Sequence, residues 1–158
     1  MANKSQVVDN NTLIRHEVPN CTSHELYKYV VDEQAVGAFA GKVYVAEGAQ
    51  NTVSDEVNQN ICASNDARMY TQPMLEIYAD DVKCSHGSTV GKLDEIALFY
   101  MRQRGIPLAE ARMLLMQAFV GQVVDEIPIA PLRDRLHIMI EQRLKGEFDK
   151  CVGCARCK

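Results

Sequence analysis

The apolar residues of this chain repeat with one period up to about residue 93 and with another beyond it. Upstream, apolar or alternating runs occur in NTLIRHEV, ELYKYVV, GAFAGKVYVAEG, VNQNICAS and PMLEIYADDVKCSHG. Asn, Asp, Gly, Ser and Pro separate them, which is turn chemistry between strands. Val43 and Val45 share one strand face, with Tyr44 on the other. No helical pattern intervenes, so βαβ units are excluded. Short strands in this arrangement suit a sandwich, a barrel or a β-helix. No strict sequence repeat chooses among the three.

The phase of the alternation slips once in a telling place. Leu75, Ile77 and Ala79 occupy odd positions, whereas Val82, Cys84 and His86 occupy even ones. Asp80 and Asp81 lie at the slip. Asp is good turn chemistry because its carboxylate can bond nearby backbone N–H groups. The expected local structure is strand, tight corner, strand.

Residues 94–148 adopt a period near 3.6, and three short helices are expected. Asp94 and Glu95 suit a helix N-terminus. Ile96, Phe99 and Tyr100 form an apolar side, and Gly105 ends the first helix. Pro107 opens the second, where Leu114, Leu115, Ala118 and Phe119 line one face. Gly121 inside it implies close helix packing or a frayed end, at a cost of about 1 kcal/mol relative to Ala. Pro128 and Pro131 stop the run. The third helix carries a stripe of Leu132, Leu136, Met139, Ile140 and Leu144.

Composition narrows the function classes. The 158 residues carry a net charge of −4 with scattered basic positions, which argues against nucleic-acid binding. No apolar run approaches the roughly 20 residues of a membrane helix. The start, MANKSQVVDNN, lacks a signal-peptide core, so a cytoplasmic location is expected. There is no Gly-rich phosphate loop and no G-x-S-x-G elbow. No enzymatic activity is expected.

Two stretches carry candidate ligand chemistry. In VKCSH, alternation puts Cys84 and His86 on the same strand face. Two ligands are too few for a closed zinc site, which needs four, and a buried cysteine in a sheet is common. The tail CVGCARCK places Cys151, Cys154 and Cys157 in a C-x₂-C-x₂-C run. That spacing matches the start of a ferredoxin ligand set without its fourth Cys and Pro. It reads as a flexible tail of thiols or as a three-thiolate clip completed by another chain. His16, His24 and His137 are singletons.

The run PMLEIYADDVKCSHGSTVGKLDEIALFYMRQRGIPLAEARMLLMQAFVGQVVDEI resembles the C-terminal region of the SufB/SufD family of SUF iron–sulfur cluster assembly. Upstream, NNTLIRHEVPNCTSHELYKYVVDEQAVGAFAGKVYVAEGAQNT resembles the same family's preceding segment. The likeness covers Val7 to about Gly146, and DDVKCSHG has the form of the SufD branch. The resemblance implies a β plus α fold. Residues 1–93 would be the last rungs of a right-handed parallel β-helix, residues 94–150 a small α-helical domain, and residues 151–158 a cysteine-containing tail. Family members are much longer, so the chain is expected to be a C-terminal fragment with Met1–Ser5 as an added start. An uncovered first rung would then favour association, including a homodimer.

The resemblance also implies roles. His86 maps onto a histidine at the interface with a SufB-like subunit, where a nascent cluster forms, and Cys84 is its same-face neighbour. The helical domain would dock a SufC-like ATPase, with Phe99, Tyr100, Arg102 and Arg104 as candidate contacts, since aromatics and Arg are favoured at hot spots. No tightly bound cofactor is expected in the fragment, only a transient iron–sulfur cluster in the full complex. Two other readings stand beside this scaffold. One is an independent metal- or cluster-binding redox protein using Cys151, Cys154 and Cys157. The other is a β-helix carbohydrate enzyme, whose paired carboxylates have no candidate beyond Asp80 and Asp81.

Overall fold

The computed structural model describes residues 1–147. Six strands come first: β1 (Val7–His16), β2 (Thr22–Val31), β3 (Val36–Val45), β4 (Thr52–Cys62), β5 (Arg68–Ile77) and β6 (Val82–Gly91). Three helices follow: α1 (Glu95–Gln103), α2 (Leu108–Asp125) and α3 (Ala130–Leu144). The chain divides into two units, one of residues Met1–Lys92 and one beginning at Leu93.

In the first unit every strand pairing is parallel. The sheets are β1-β3-β5 and β2-β4-β6, so successive strands alternate between them. Register partners are 29 to 32 residues apart, 31 between β2 and β4, so side chains one such interval apart meet along each sheet and corner. Ser23 bonds Ser54 through their hydroxyls at 2.9 Å. The Asn51 amide donates to Asn20 Oδ1 at 3.3 Å across the same 31-residue interval. Ser64 Oγ donates to the Glu33 carbonyl at 2.7 Å.

This structural repeat was hidden because polar and apolar residues replace one another from level to level. Leu13 stands opposite Lys42, which stands opposite Met74. The strands are also longer than the turn residues suggested, at 10 or 11 residues. Asn10, Asn11, Ser54 and Asp55 lie inside strands rather than between them. A parallel ladder satisfies their backbones, and the pleat decides which side chains turn inward.

The corners are built by residues that tolerate left-handed backbone. Asn20 (φ 63°) and Asn51 (φ 58°) occupy equivalent corners. Asn is one of the few L-residues that visit this region readily. The Asp80–Asp81 corner separates β5 from β6 and resets the phase, with Ala79 buried before it. Neighbouring corner residues secure it. The Asp81 N–H donates to Gln50 Oε1 at 2.8 Å, and the Asn51 N–H donates to the Asp81 carbonyl at 2.6 Å.

Apolar clusters among the described residues pack the interior. One joins Ala2, Tyr29, Val31, Ala35, Phe39 and Ala67, and another joins Val43, Val45, Ala49 and Ala79. Between them runs a polar strip on β4, where Thr52, Ser54, Glu56, Asn58 and Asn60 are all buried. Ala2 is a buried core residue whose N–H donates to the Val30 carbonyl at 2.9 Å. Residues at this end belong to the folded unit.

In the second unit Asp94 caps α1, its carboxylate accepting from the N–H groups of Ile96 and Ala97. Gly105, at φ 86°, follows the helix end. Burial in α2 differs from the stripe read in the sequence: Ala111, Met116, Gly121 and Val124 are inside, whereas Leu114 is exposed. Gly121 is buried inside α2 rather than at a frayed end, and a Cβ there would meet His137 Cε1 at 3.5 Å, an ordinary van der Waals contact. His137 in turn pairs with Asp125 at 2.9 Å. Leu132 and Met139 of the α3 stripe are exposed.

Candidate functional site

Strand β6 ends its sheet and pairs with β4. Its register sets Cys84 opposite Ser54 and His86 opposite Glu56. Since Ser54 and Glu56 both turn into the interior, Cys84 and His86 share that inner face. Their environments differ. Cys84 is half-buried and packs against the Val43–Val45–Ala49–Ala79 cluster, with Leu75 and Val82 beside it. Burial pushes its thiol pKa up, and a bond from the Ser54 backbone partly opposes this. His86 is exposed. One strand edge thus presents a protonated, sheltered thiol and an accessible imidazole.

No third ligand joins them. Among the described residues, no group of three His, Cys, Asp or Glu side chains is close enough to hold a metal ion. Asp80 and Asp81 are exposed at the preceding corner. His16 is drawn into the structure instead, its Nε2 bonding Ser23 Oγ at 2.9 Å in a chain that continues to Ser54. His24 pairs with Asp55 on the surface. Cys151, Cys154 and Cys157 lie outside the described residues.

The α1 candidates all face outward. Phe99 is 63% exposed and Tyr100 59%, while Ile96 reaches 81%. Arg104 lies over the Tyr100 ring at 5.1 Å and donates to its hydroxyl at 2.8 Å. Arg102 is exposed in the last turn. The apolar side read in the sequence is therefore a surface, and Leu98, 4% exposed, is the residue that seats α1.

Sequence reasoning missed a pair of internal carboxylates. Glu56 is fully buried, and neither of its oxygens has a hydrogen-bond partner. Glu25 stands directly opposite on β2, with Oε1 buried and unpaired and Oε2 accepting from the Tyr27 hydroxyl at 2.8 Å. Burial, and then the charge of Glu25, pushes the Glu56 pKa up to about 7. The signal was present in TVSDEVNQN, where Thr52, Ser54, Glu56, Asn58 and Asn60 share a parity. Alternation gives parity but not direction, and a polar face is ordinarily assigned to solvent.

Residues 1–119 match the family model described as SUF system FeS cluster assembly, SufBD core domain. The chain belongs to the SufBD family. It is 42% identical over 149 residues to an iron–sulfur cluster assembly SufBD family protein of Synechocystis, covering 94% of this chain and 30% of that protein. It is 37% identical over 143 residues to the iron–sulfur cluster assembly protein SufD of Escherichia coli, covering 90% of this chain and 34% of that protein. SufD of Bacillus subtilis is 34% identical over 116 residues, covering 73% of this chain and 26% of that protein. The chain is thus a SufD-like SUF protein that spans about a third of the length of these relatives. No described helix is long and apolar enough to cross a membrane.

Proposed function

We propose that this chain acts as a SufD-like scaffold piece in iron–sulfur cluster assembly, within a complex of SufB, SufC and SufD type. The reading rests on Cys84 and His86 sharing the inner face of an edge strand, with His86 exposed and, among the described residues, no third ligand beside them. A half-site of this kind needs a second surface. A SufB-like subunit covering β6 would supply the remaining ligands, and the nascent cluster is then cargo shared between the two chains. Imidazole and thiolate both suit iron. His86 is the stronger ligand candidate because it is accessible and needs no desolvated thiol to ionise.

The alternation of six parallel strands between two sheets suits a right-handed parallel β-helix. On this reading the three helices dock a SufC-like ATPase through the exposed Phe99, Tyr100, Arg102 and Arg104. The chain itself performs no catalysis, holds no resident iron–sulfur cluster of its own, and works in the cytoplasm. The test is reconstitution of the complete complex with His86→Ala. Cluster yield should fall while co-purification with the SufB-like and SufC-like partners persists. An unchanged yield would remove His86 from the site. Absence of co-purification of the unmodified chain would remove the scaffold reading.

A further inference from the structure

We propose that Glu25 and Glu56 form an internal site for a divalent, oxygen-preferring cation, with water completing its coordination. The two residues are direct register partners on β2 and β4 and face the same interior. Three carboxylate oxygens, Glu56 Oε1, Glu56 Oε2 and Glu25 Oε1, are buried there without a hydrogen-bond partner. An ionised carboxylate in that state is costly to bury, and two side by side repel. A cation between them removes both costs at once.

The surroundings hold the two carboxylates in place. Gly41 on the opposite sheet leaves room for the Glu56 carboxylate, where a Cβ would lie 2.6 Å from Glu56 Cδ. The Tyr27 hydroxyl fixes Glu25 through its other oxygen, as outer partners of metal ligands do. Further along the inner face of β4, Asn58 Nδ2 and Asn60 Oδ1 are also buried and unpaired, so the strip next to the carboxylates is polar. Two carboxylates with water fit Mn²⁺, Mg²⁺ or ferrous iron, which keep oxygen ligands and bound waters. They do not fit a closed zinc site. The register continues from Glu56 to the exposed His86, so the column Glu25–Glu56–His86 runs from the interior to an accessible edge. This inference concerns the interior and stands whether or not β6 meets a partner.

The probe is Mn²⁺, titrated into the chelator-treated 158-residue chain. Binding is read by the electron paramagnetic resonance signal of free Mn²⁺ and by the shift in unfolding temperature. One tightly bound Mn²⁺ per chain and a raised unfolding temperature are expected. Glu56→Gln and Glu25→Gln should each weaken binding at least about tenfold, in line with loss of a direct ligand, while Asp80→Asn leaves it unchanged. If Glu56→Gln does not fold, Glu25→Gln decides alone. The proposal is overturned by no binding, or by binding that Glu25→Gln and any folded Glu56→Gln leave intact. The second result would assign the ion to the surface or to the tail.

Discussion

Gly41 lies against the buried carboxylate of Glu56, across the interior from the opposite sheet: a Cβ on Gly41 would overlap Glu56 Oε1 and lie 2.7 Å from Phe39 Cζ. The carboxylate and the ring are both enclosed, so neither can move away freely. Gly41→Ala should therefore destabilise the β unit by about 1–3 kcal/mol, the usual cost of overpacking. Pairing it with Glu56→Ala tests the contact. Urea unfolding of the double variant should show less destabilisation than the two single variants added together. Simple additivity would mean that Gly41 is required for another reason.

Glu56 also makes stability depend on pH. Its folded pKa, about 7, lies above the ordinary carboxylate value, so folding favours the protonated form. The penalty is absent below the unfolded-state pKa and grows as pH rises through about 7. Its full size is on the order of 3 kcal/mol, from roughly 1.4 kcal/mol per pKa unit. In metal-free protein, Glu56→Gln should be more stable than the parent at pH 8 and similar to it at pH 4. Denaturant titrations at the two pH values check this. A constant difference between the proteins would show that Glu56 is not the titrating group.

These two residues also mark where the sequence stopped being readable. Alternation identified strands, and the slip at Asp80–Asp81 located a corner, because both follow from local backbone geometry. The side of the strand that faces inward follows from the opposite sheet and from the strand one level away in the same sheet, 31 residues distant between β2 and β4. No local pattern carries that information, so a polar inner face on β4 passed for a surface. The helices failed similarly. Their period was visible, but the buried face of α2 includes Ala111 and Gly121 beside Met116 and Val124, and small residues carry little weight in an apolar stripe. The shared face of Cys84 and His86 was legible from parity alone, whereas their unequal exposure was not.

The corners offer a backbone test. Asn51 sits at φ 58° and reaches Asn20 through its side chain. Asn51→Val places a β-branched residue in left-handed backbone and should cost about 1–2 kcal/mol. Asn51→Gly keeps the conformation accessible and should stay within about 0.5 kcal/mol of the parent. Thermal unfolding of the two variants should rank them in that order. Equal losses would show that the Asn51 side chain, not its backbone, holds the corner.

Cys84 should be a sluggish nucleophile in the isolated chain. Burial raises its pKa and so depletes the thiolate at neutral pH. Thiolate is the reactive form. Alkylation by iodoacetamide at pH 7.5, followed at the Cys84 peptide by mass spectrometry, should be at least about threefold slower than for a small free thiol. A rate equal to that of the free thiol would indicate an activated cysteine and would promote Cys84 over His86 as the leading ligand.

The outward face of α1 separates folding from docking. Phe99, Tyr100, Arg102 and Arg104 are exposed, and the Arg104–Tyr100 contact lies within one helix face. Surface truncations of this kind usually change stability by no more than about 0.5 kcal/mol each. Leu98 is 4% exposed, and its truncation to Ala should cost about 2–4 kcal/mol. The quadruple alanine variant should therefore unfold close to the parent in denaturant yet lose most of its affinity for a SufC-like ATPase, since exposed aromatics and arginines concentrate binding energy. Leu98→Ala should show the reverse order, with unfolding affected first. If the quadruple variant binds as tightly as the parent, the ATPase contacts lie on α2 or α3. Exposed Leu114, Leu132 and Met139 are then the next residues to truncate.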